Sequence, residues 1–180
     1  MDANEFFNNL MEKIEKQIPD SDGNIVKQSF GGKLSYTITC TTCNNRSERE
    51  ESFTELQIEV KSQANIMQSI KSMVNEEILE GENAYWCEMC SMKVKAIKSM
   101  TIAKLPNYLI FNLKRFEYDL EREQRFKVND YFEFSEELDL SSFCKNAPKA
   151  QSCFELCGVV IHQGSCDTGH YFSLIKHKDN

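Results

Sequence analysis

Four of the eight cysteines fall into two C-x-x-C pairs: Cys40 and Cys43 in "CTTC", and Cys87 and Cys90 in "CEMC". A C-x-x-C knuckle turns both sulfurs toward one point, and two knuckles supply the four thiolates of a closed tetrahedron. Zinc suits such a set, being borderline-soft and without a geometric preference of its own. The 43 residues between the pairs exceed the spacing of a compact zinc finger. A shared ion would therefore clip together two distant hairpin tips. With four protein ligands no position stays open for water, so the expected role of Zn2+ here is structural. Reduced thiols or a redox disulfide are the plainer readings. A thioredoxin-like site, however, needs one C-x-x-C opening a helix within a βαβ unit, and these pairs border strand-like runs.

Composition bears on what else the chain could be. A chain of 180 residues is about one domain and can bury a core without disulfide staples. No apolar run approaches the ~20 residues of a membrane span, and "MDANEFFNNLMEKIEK" is acidic where a secretory signal is basic. The expectation is an intracellular protein, cytoplasmic and/or nuclear, whose thiols remain reduced. The formal net charge of −7 argues against binding a phosphate backbone and mildly favours a basic partner, although it also serves plain solubility.

Periodicity places a helix over 2–18, where Phe6, Leu10, Ile14 and Phe7, Met11, Ile18 recur at helical spacing until Pro19 and "PDSDGN". "FGGKLSYTITC" reads as a turn and a strand with Leu34, Tyr36 and Ile38 alternating, and "FTELQIEV" alternates through Leu56, Ile58 and Val60. Ile66, Ile70, Met73, Val74 and Ile78 predict a second helix closed by Gly81. Single strands are expected at "MKVKAIKSMTI", "YLIFNLKRFEY" and "YFEF". "FELCGVVIH" and "HYFSLIKH" suggest a hairpin around a seven-residue loop, Gln163–Gly169. A helix at the front and a strand-rich back half predict an α+β fold with an antiparallel sheet.

All three histidines lie in "CGVVIHQGSCDTGHYFSLIKH". Residues flanking a hairpin loop are expected to face each other, bringing His162 and His170 together, with Gly164 and Gly169 permitting close approach. Either imidazole could act as a general base for a nucleophile from another element. Three other readings stand beside this one: an ordinary edge-strand histidine, a second metal site from His162, Cys166, Asp167 and His170, and a local Cys166–His170 dyad. The dyad is poor, because Cys166 has no helix N-terminus to lower its pKa or to stabilise an oxyanion.

Several segments, in order along the chain, resemble those of one family. "MDANEFF" is similar to a "QQDAxEF" segment, and "FGGKLSYTITCTTC" and "GENAYWCEMC" to the two knuckles. "LPNYLIFNLKRFEYD" is similar to an "LPxxLxxxLKRF" strand, and "LCGVVIHQGSCDTGHYFSLIK" to a histidine box. On these motifs the chain resembles the ubiquitin-specific proteases, papain-like cysteine peptidases that remove ubiquitin, most of all their large fat-facets-type members. The resemblance implies the end of a thumb over residues 1–30, zinc-bearing fingers over 31–105 and an antiparallel-sheet palm over 106–180. It implies that His170 is the catalytic base and that ubiquitin is the partner. Gly169, Tyr171, His162 and Phe116 would then line a narrow channel for the ubiquitin tail, and Asp2 and Glu5 would pair with the tail's arginines. Carboxylates suit a basic tail in a slot too narrow for side chains, although Asp2 and Glu5 could equally be a helix N-cap and its i+3 partner.

The resemblance also implies a nucleophilic cysteine before the first of these segments and an orienting Asp or Asn a strand beyond the histidine box. Neither falls within this sequence, Asp179 being too close to His170. The expectation is that this chain alone does not hydrolyse ubiquitin conjugates. The alternatives are a non-catalytic ubiquitin-binding zinc module and, disfavoured by the acidic balance, a zinc-ribbon nucleic-acid binder.

Overall fold

The computed structural model describes residues 3–18, 24–145 and 151–177. α1 (Ala3–Gln17) buries no residue completely. Phe7, on its half-buried side, meets Phe30 edge to face at 6.1 Å. Phe30 ends α2 (Ile25–Phe30), a six-residue helix that periodicity does not reveal. Its start is fixed instead by Asn24, whose side chain accepts the Lys27 N–H.

Four strands form the largest sheet: β1 (Gly32–Cys40), β2 (Arg46–Phe53), β4 (Glu77–Leu79) and β7 (Ala96–Lys104), in the order β2-β1-β7-β4 and antiparallel throughout. β3 (Leu56–Glu59) lies between β2 and β4 in the chain but outside this sheet. The apolar set of β1, Leu34, Tyr36 and Ile38, is half-buried, and the polar set opposite is buried more deeply: Ser35 and Thr37 are 1% and 6% exposed. Hydrogen bonds make that burial tolerable. Ser35 Oγ donates to Glu48 at 2.6 Å and Arg46 donates to Thr37 Oγ1 at 3.2 Å. Lys145 then covers the group, its N–H bonding Ile102 O and its ammonium pairing with Glu48 at 2.7 Å.

The helix expected to run from Ile66 to Gly81 is shorter. α3 (Ile66–Val74) starts at the Asn65 cap and stops before Asn75. Ile78 belongs to β4, where it pairs with Ile97. Its helical spacing from Val74 is outweighed by a strand partner. Both long strands expected in the middle of the chain are interrupted. "MKVKAIKSMTI" divides at Lys95 into β6 (Met92–Val94) and β7, and β6 forms a ribbon with β5 (Tyr85–Cys87). "YLIFNLKRFEY" divides at Arg115 into β8 (Phe111–Lys114) and β9 (Phe116–Asp119). There the Arg115 guanidinium donates to Val128 O and Asp130 O. β8 pairs with β3 in parallel, Leu56 opposite Phe111, a departure from the antiparallel expectation.

β9 pairs with β10 (Gln124–Lys127), and β11 (Glu137–Asp139) with β12 (Cys153–Glu155). "YFEF" contributes only an isolated bridge between Glu133 and Asn65. The last ribbon joins β13 (Gly158–Gly164) to β14 (Gly169–Ile175). The main core gathers Leu56, Ile58 and Val60 against Ile66 and Ile70 of α3, closed by Phe132 and Leu140. The fold is mixed α and β, with three α-helices and small sheets among the described residues. No helix among these residues is long and apolar enough to cross a membrane.

Candidate functional site

Two separate places carry chemistry. At one end of the four-stranded sheet, β1 delivers Cys40 into a turn that returns Cys43, helped by Asn44 in the left-handed region at φ 56°. The N–H groups of Thr42 and Cys43 point at Cys40 Sγ, at 3.4 and 3.5 Å. The β5–β6 ribbon brings Cys87 and Cys90 from the other side, turning through Ser91 at φ 51°. The four Sγ atoms lie within 4.8 Å of one another, with Cys43 and Cys87 3.6 Å apart and Cys40 and Cys90 3.9 Å apart. A tetrahedron with Zn–S bonds of about 2.3 Å has edges of about 3.8 Å, so the set fits zinc in size, number and softness. Cys40 and Cys87 are fully buried. Among the described residues these cysteines form the one group of potential metal ligands, and the second site imagined around His162, Cys166, Asp167 and His170 does not assemble.

The clustered thiols are shifted in opposite directions. The Cys40 thiol is lowered to about 6, chiefly by the Cys43 backbone N–H, with the Thr42 N–H adding to it. The Cys90 thiol is pushed up to about 12, first by its hydrogen bond with Cys43 and then by burial. Sulfurs packed this closely share protons until a metal replaces them.

The histidine hairpin turns more tightly than expected. Gly164 pairs with Gly169, and the turn between them is Ser165–Thr168, closed by the Ser165 N–H donating to Thr168 O at 2.8 Å. This register corrects the placement of the histidines. His162 stands opposite Tyr171, and His170 stands opposite Gln163. Adjacent residues of a strand point to opposite faces, so His162 and His170 do not face each other. The offset of one residue sends them to different sides of the ribbon.

One face gathers most of the residues implied by resemblance. The His162 ring lies 4.7 Å from that of Tyr171 and meets Phe116 edge to face at 5.2 Å. Its Nδ1 is buried and has no hydrogen-bond partner among the described residues. A Cβ on Gly169 would lie 2.1 Å from His162 Nε2, so only glycine fits under the imidazole. Gly164 adopts φ 138°, and its own Cβ would meet Thr168 O at 2.3 Å. His170 lies on the other face and is exposed. It shares that face with Phe172 and Leu174, which are 45% and 60% exposed, and Val159, Ile161 and Leu174 line an open cavity of about 400 Å³ beneath them.

Glu5 is exposed in the first turn of α1, and no hydrogen bond or ion pair among the described residues joins it to the hairpin. Asp2 lies outside the described residues. Sequence reasoning passed over Lys127, whose ammonium donates to His162 O and Gly164 O. A lysine in a strand carries no signal that its partners will be carbonyls.

Comparison with known proteins agrees with this geometry. The family profile "Ubiquitin carboxyl-terminal hydrolase" matches residues 1–180. The chain is 34% identical to ubiquitin carboxyl-terminal hydrolase 9Y of Homo sapiens, over 97% of this chain and 8% of that protein. It is 33% identical to the probable ubiquitin carboxyl-terminal hydrolase FAF of Drosophila melanogaster, over 99% of this chain and 7% of that protein. Among solved structures, the SAGA Ubp8/Sgf11/Sus1/Sgf73 DUB module bound to ubiquitin aldehyde superposes with a TM-score of 0.84 at 29% identity, covering 98% of this chain and 42% of the matched chain. A form of the same module bound to monoubiquitin gives 0.85 at 31% identity, with 98% and 40% covered. The chain thus spans about two fifths of the solved chains and under a tenth of the two relatives. Paired knuckles at one end of a sheet, a glycine-flanked histidine hairpin elsewhere and a profile match over every residue converge on one conclusion: the chain belongs to the ubiquitin carboxyl-terminal hydrolase family.

Proposed function

We propose that this chain supplies the ubiquitin-gripping fingers, the palm and the general base of a thiol-dependent ubiquitin hydrolase, with His170 as that base. The observation that carries the reading is the hairpin mouth. Gly169 is pressed against His162, Tyr171 and Phe116 complete the wall, and His170 stands one residue away on an exposed face. A wall closed by glycine and aromatic rings suits an extended peptide ending in Gly-Gly. In this reading residues 1–30 belong to a thumb, 31–105 to fingers and 106–180 to a palm, and Asp2 and Glu5 offer carboxylates to the arginines of the ubiquitin tail. Cys40, Cys43, Cys87 and Cys90 hold a structural zinc ion, which keeps the β5–β6 ribbon on the end of β1. The reduced thiols that such a site needs fit a cytoplasmic or nuclear setting.

The chemistry is acyl transfer. His170 accepts the proton of a cysteine thiol, and the thiolate attacks the carbonyl carbon of the last ubiquitin glycine. The imidazolium returns the proton to the departing amine. Water, deprotonated by the same imidazole, then opens the thioester. Within this chain no cysteine begins α1, α2 or α3, where a helix terminus would favour its thiolate. Four of the cysteines are committed to the cluster, and Cys166 donates to Arg125 O at the hairpin tip.

A second reading, a ubiquitin-binding module without catalysis, draws on the lack of a cysteine at the start of α1, α2 or α3. One experiment addresses both. The zinc-loaded chain is mixed with ubiquitin, with ubiquitin lacking its terminal Gly-Gly, and with ubiquitin bearing a thiol-reactive C-terminus. The expected result is tail-dependent binding without covalent labelling. Restoring hydrolysis then requires the chain in a longer protein that contributes a thiol, with His170→Ala abolishing turnover while retaining binding. Absence of tail-dependent binding overturns both readings, and full turnover by His170→Ala in the longer protein leaves only the second.

A further inference from the structure

β13 pairs with β14 and with no other strand among the described residues. The turn bond between Ser165 and Thr168 fixes which backbone groups face inward. In an antiparallel ladder, alternate residues exchange bonds with the partner strand and those between them point outward. Gln163 therefore faces the ladder, whereas the carbonyls of His162 and Gly164 face the free edge. Lys127 meets them there, its Nζ lying 3.0 Å from His162 O and 3.1 Å from Gly164 O. No carboxylate among the described residues pairs with this ammonium, so its charge is directed at the two carbonyls. Charge-assisted bonds of this kind are stronger than those between neutral groups.

The neighbours of Lys127 act on the same hairpin. Lys127 stands opposite Phe116 in the β9–β10 ribbon, and Phe116 carries the ring that meets His162 at 5.2 Å. Two residues earlier in β10, Arg125 O accepts the Cys166 thiol at 3.3 Å. One ribbon thus touches His162 at its ring and its carbonyl, Gly164 at its carbonyl, and the loop at its tip. Tolerance at this mouth is small. The space above Gly169 is already filled by His162 Nε2, and Gly164 holds a left-handed conformation against Thr168. A shift of β13 by a few tenths of an ångström would push the His162 ring onto the Gly169 backbone or open a gap beside it.

We propose that Lys127 is the positioning residue of the histidine hairpin: by binding the edge carbonyls of His162 and Gly164 it takes the place of a neighbouring strand and fixes the mouth from which His162, Gly169 and His170 project. Its value for catalysis rests on the proposed function. Its mechanical role does not, and the test separates the two.

Zinc-loaded wild-type chain, Lys127→Met and Lys127→Arg are compared by amide hydrogen exchange, by the ring resonances of His162, and by ubiquitin binding. Methionine keeps the length of the stem and removes the donors, whereas arginine keeps the charge and the donors. In Lys127→Met, exchange at residues 163–170 is expected to accelerate by about tenfold or more. The His162 ring resonances move, the β1 and β7 amides keep their rates, and ubiquitin binding weakens by about tenfold. Lys127→Arg recovers most of each change. Unchanged hairpin exchange with unmoved His162 resonances overturns the proposal, and so does an equal acceleration in β1 and β7, which marks general destabilisation. If the wild-type chain does not bind ubiquitin, the proposed function fails, and the exchange and ring measurements still decide the role of Lys127.

Discussion

The knuckle cluster and the histidine hairpin solve opposite problems with similar parts. Each is a β-turn region whose key side chains project from strand ends. At the knuckles, Cys40 and Cys87 are completely buried and four sulfurs converge within 4.8 Å. At the hairpin, every residue of β14 is exposed, and the β13–β14 ribbon is held from one side by Phe116, Lys127 and Arg125 O. In the proposed function the difference follows from what each would do. A structural ion is most stable when its ligands exclude water and leave no open position. A base that acts on another macromolecule has to stay reachable, so its position must come from second-line contacts.

The sharpest way to break the comparison is to remove the zinc ion proposed for the four cysteines. Structural zinc contributes about 10–16 kcal/mol of apparent binding energy in zinc-finger peptides, more than any single side chain contributes to a core. Chelation is expected to free the β5–β6 ribbon from β1. Cys87→Ser should weaken metal affinity more than about a hundredfold, since losing even an outer-shell partner costs ten- to a hundredfold. Trp86, the one tryptophan of the chain, is 58% exposed and adjacent to Cys87, so its near-ultraviolet dichroism reports the event directly. The His162 ring resonances should remain in place, because no hydrogen bond or ring contact among the described residues joins the ribbon to the hairpin. If they move together with Trp86, the two regions are mechanically one.

A smaller but more local effect is expected at Gly169. The added methyl of Gly169→Ala would meet His162 Nε2 at 2.1 Å and Gln163 O at 2.7 Å. Overpacking of this kind costs about 1–3 kcal/mol. His162→Ala removes the first obstacle and leaves the second. In a double-mutant cycle, Gly169→Ala should therefore cost less in the His162→Ala background than in wild type. Urea denaturation of the four chains measures it. Strict additivity would mean that the ring turns aside at no cost and that the glycine is required only by the backbone.

These two regions were not equally legible in the sequence. Cys40, Cys43, Cys87 and Cys90 declared themselves by spacing, because a knuckle is a local object and the ion needs nothing but sulfurs. The histidines were recognisable as a group, but their mutual placement depends on ladder register. A turn from Ser165 to Thr168, instead of one from Gln163 to Gly169, moves His170 to the face away from His162. Such a one-residue difference leaves no trace in hydrophobic alternation. The breaks at Lys95 and Arg115 were hidden for a related reason. Lys95 O accepts Thr41 N–H and Thr41 Oγ1 from the first knuckle, and Arg115 bonds Val128 O and Asp130 O. Both are long-range contacts in segments whose local pattern reads as continuous strand. α2 escaped because six residues are too few to show a period, although Asn24 is a legible cap.

The smallest effect concerns how the knuckle sheet is tied to the rest of the chain. Glu48, on edge strand β2, accepts from Ser35 Oγ and pairs with Lys145, and Arg46 lies 3.6 Å away. The Lys145 ammonium, then the Ser35 hydroxyl, hold the Glu48 carboxyl below its ordinary range. A carboxylate whose folded pKa is depressed contributes stability above its unfolded pKa, about 4.3, and that contribution is lost as pH falls through the lower folded value. Because the pair is partly open to solvent, salt screens it and the contribution is modest. Thermal melts of wild type and Glu48→Gln should therefore differ slightly at about pH 6–7, with wild type higher, and converge as pH falls below about 4 and through the lower folded value. The gap should also narrow in high salt. Glutamine can still accept from Ser35, so the gap reads the charge on Glu48, and a gap that survives both acid and salt would show that this charge is not its source.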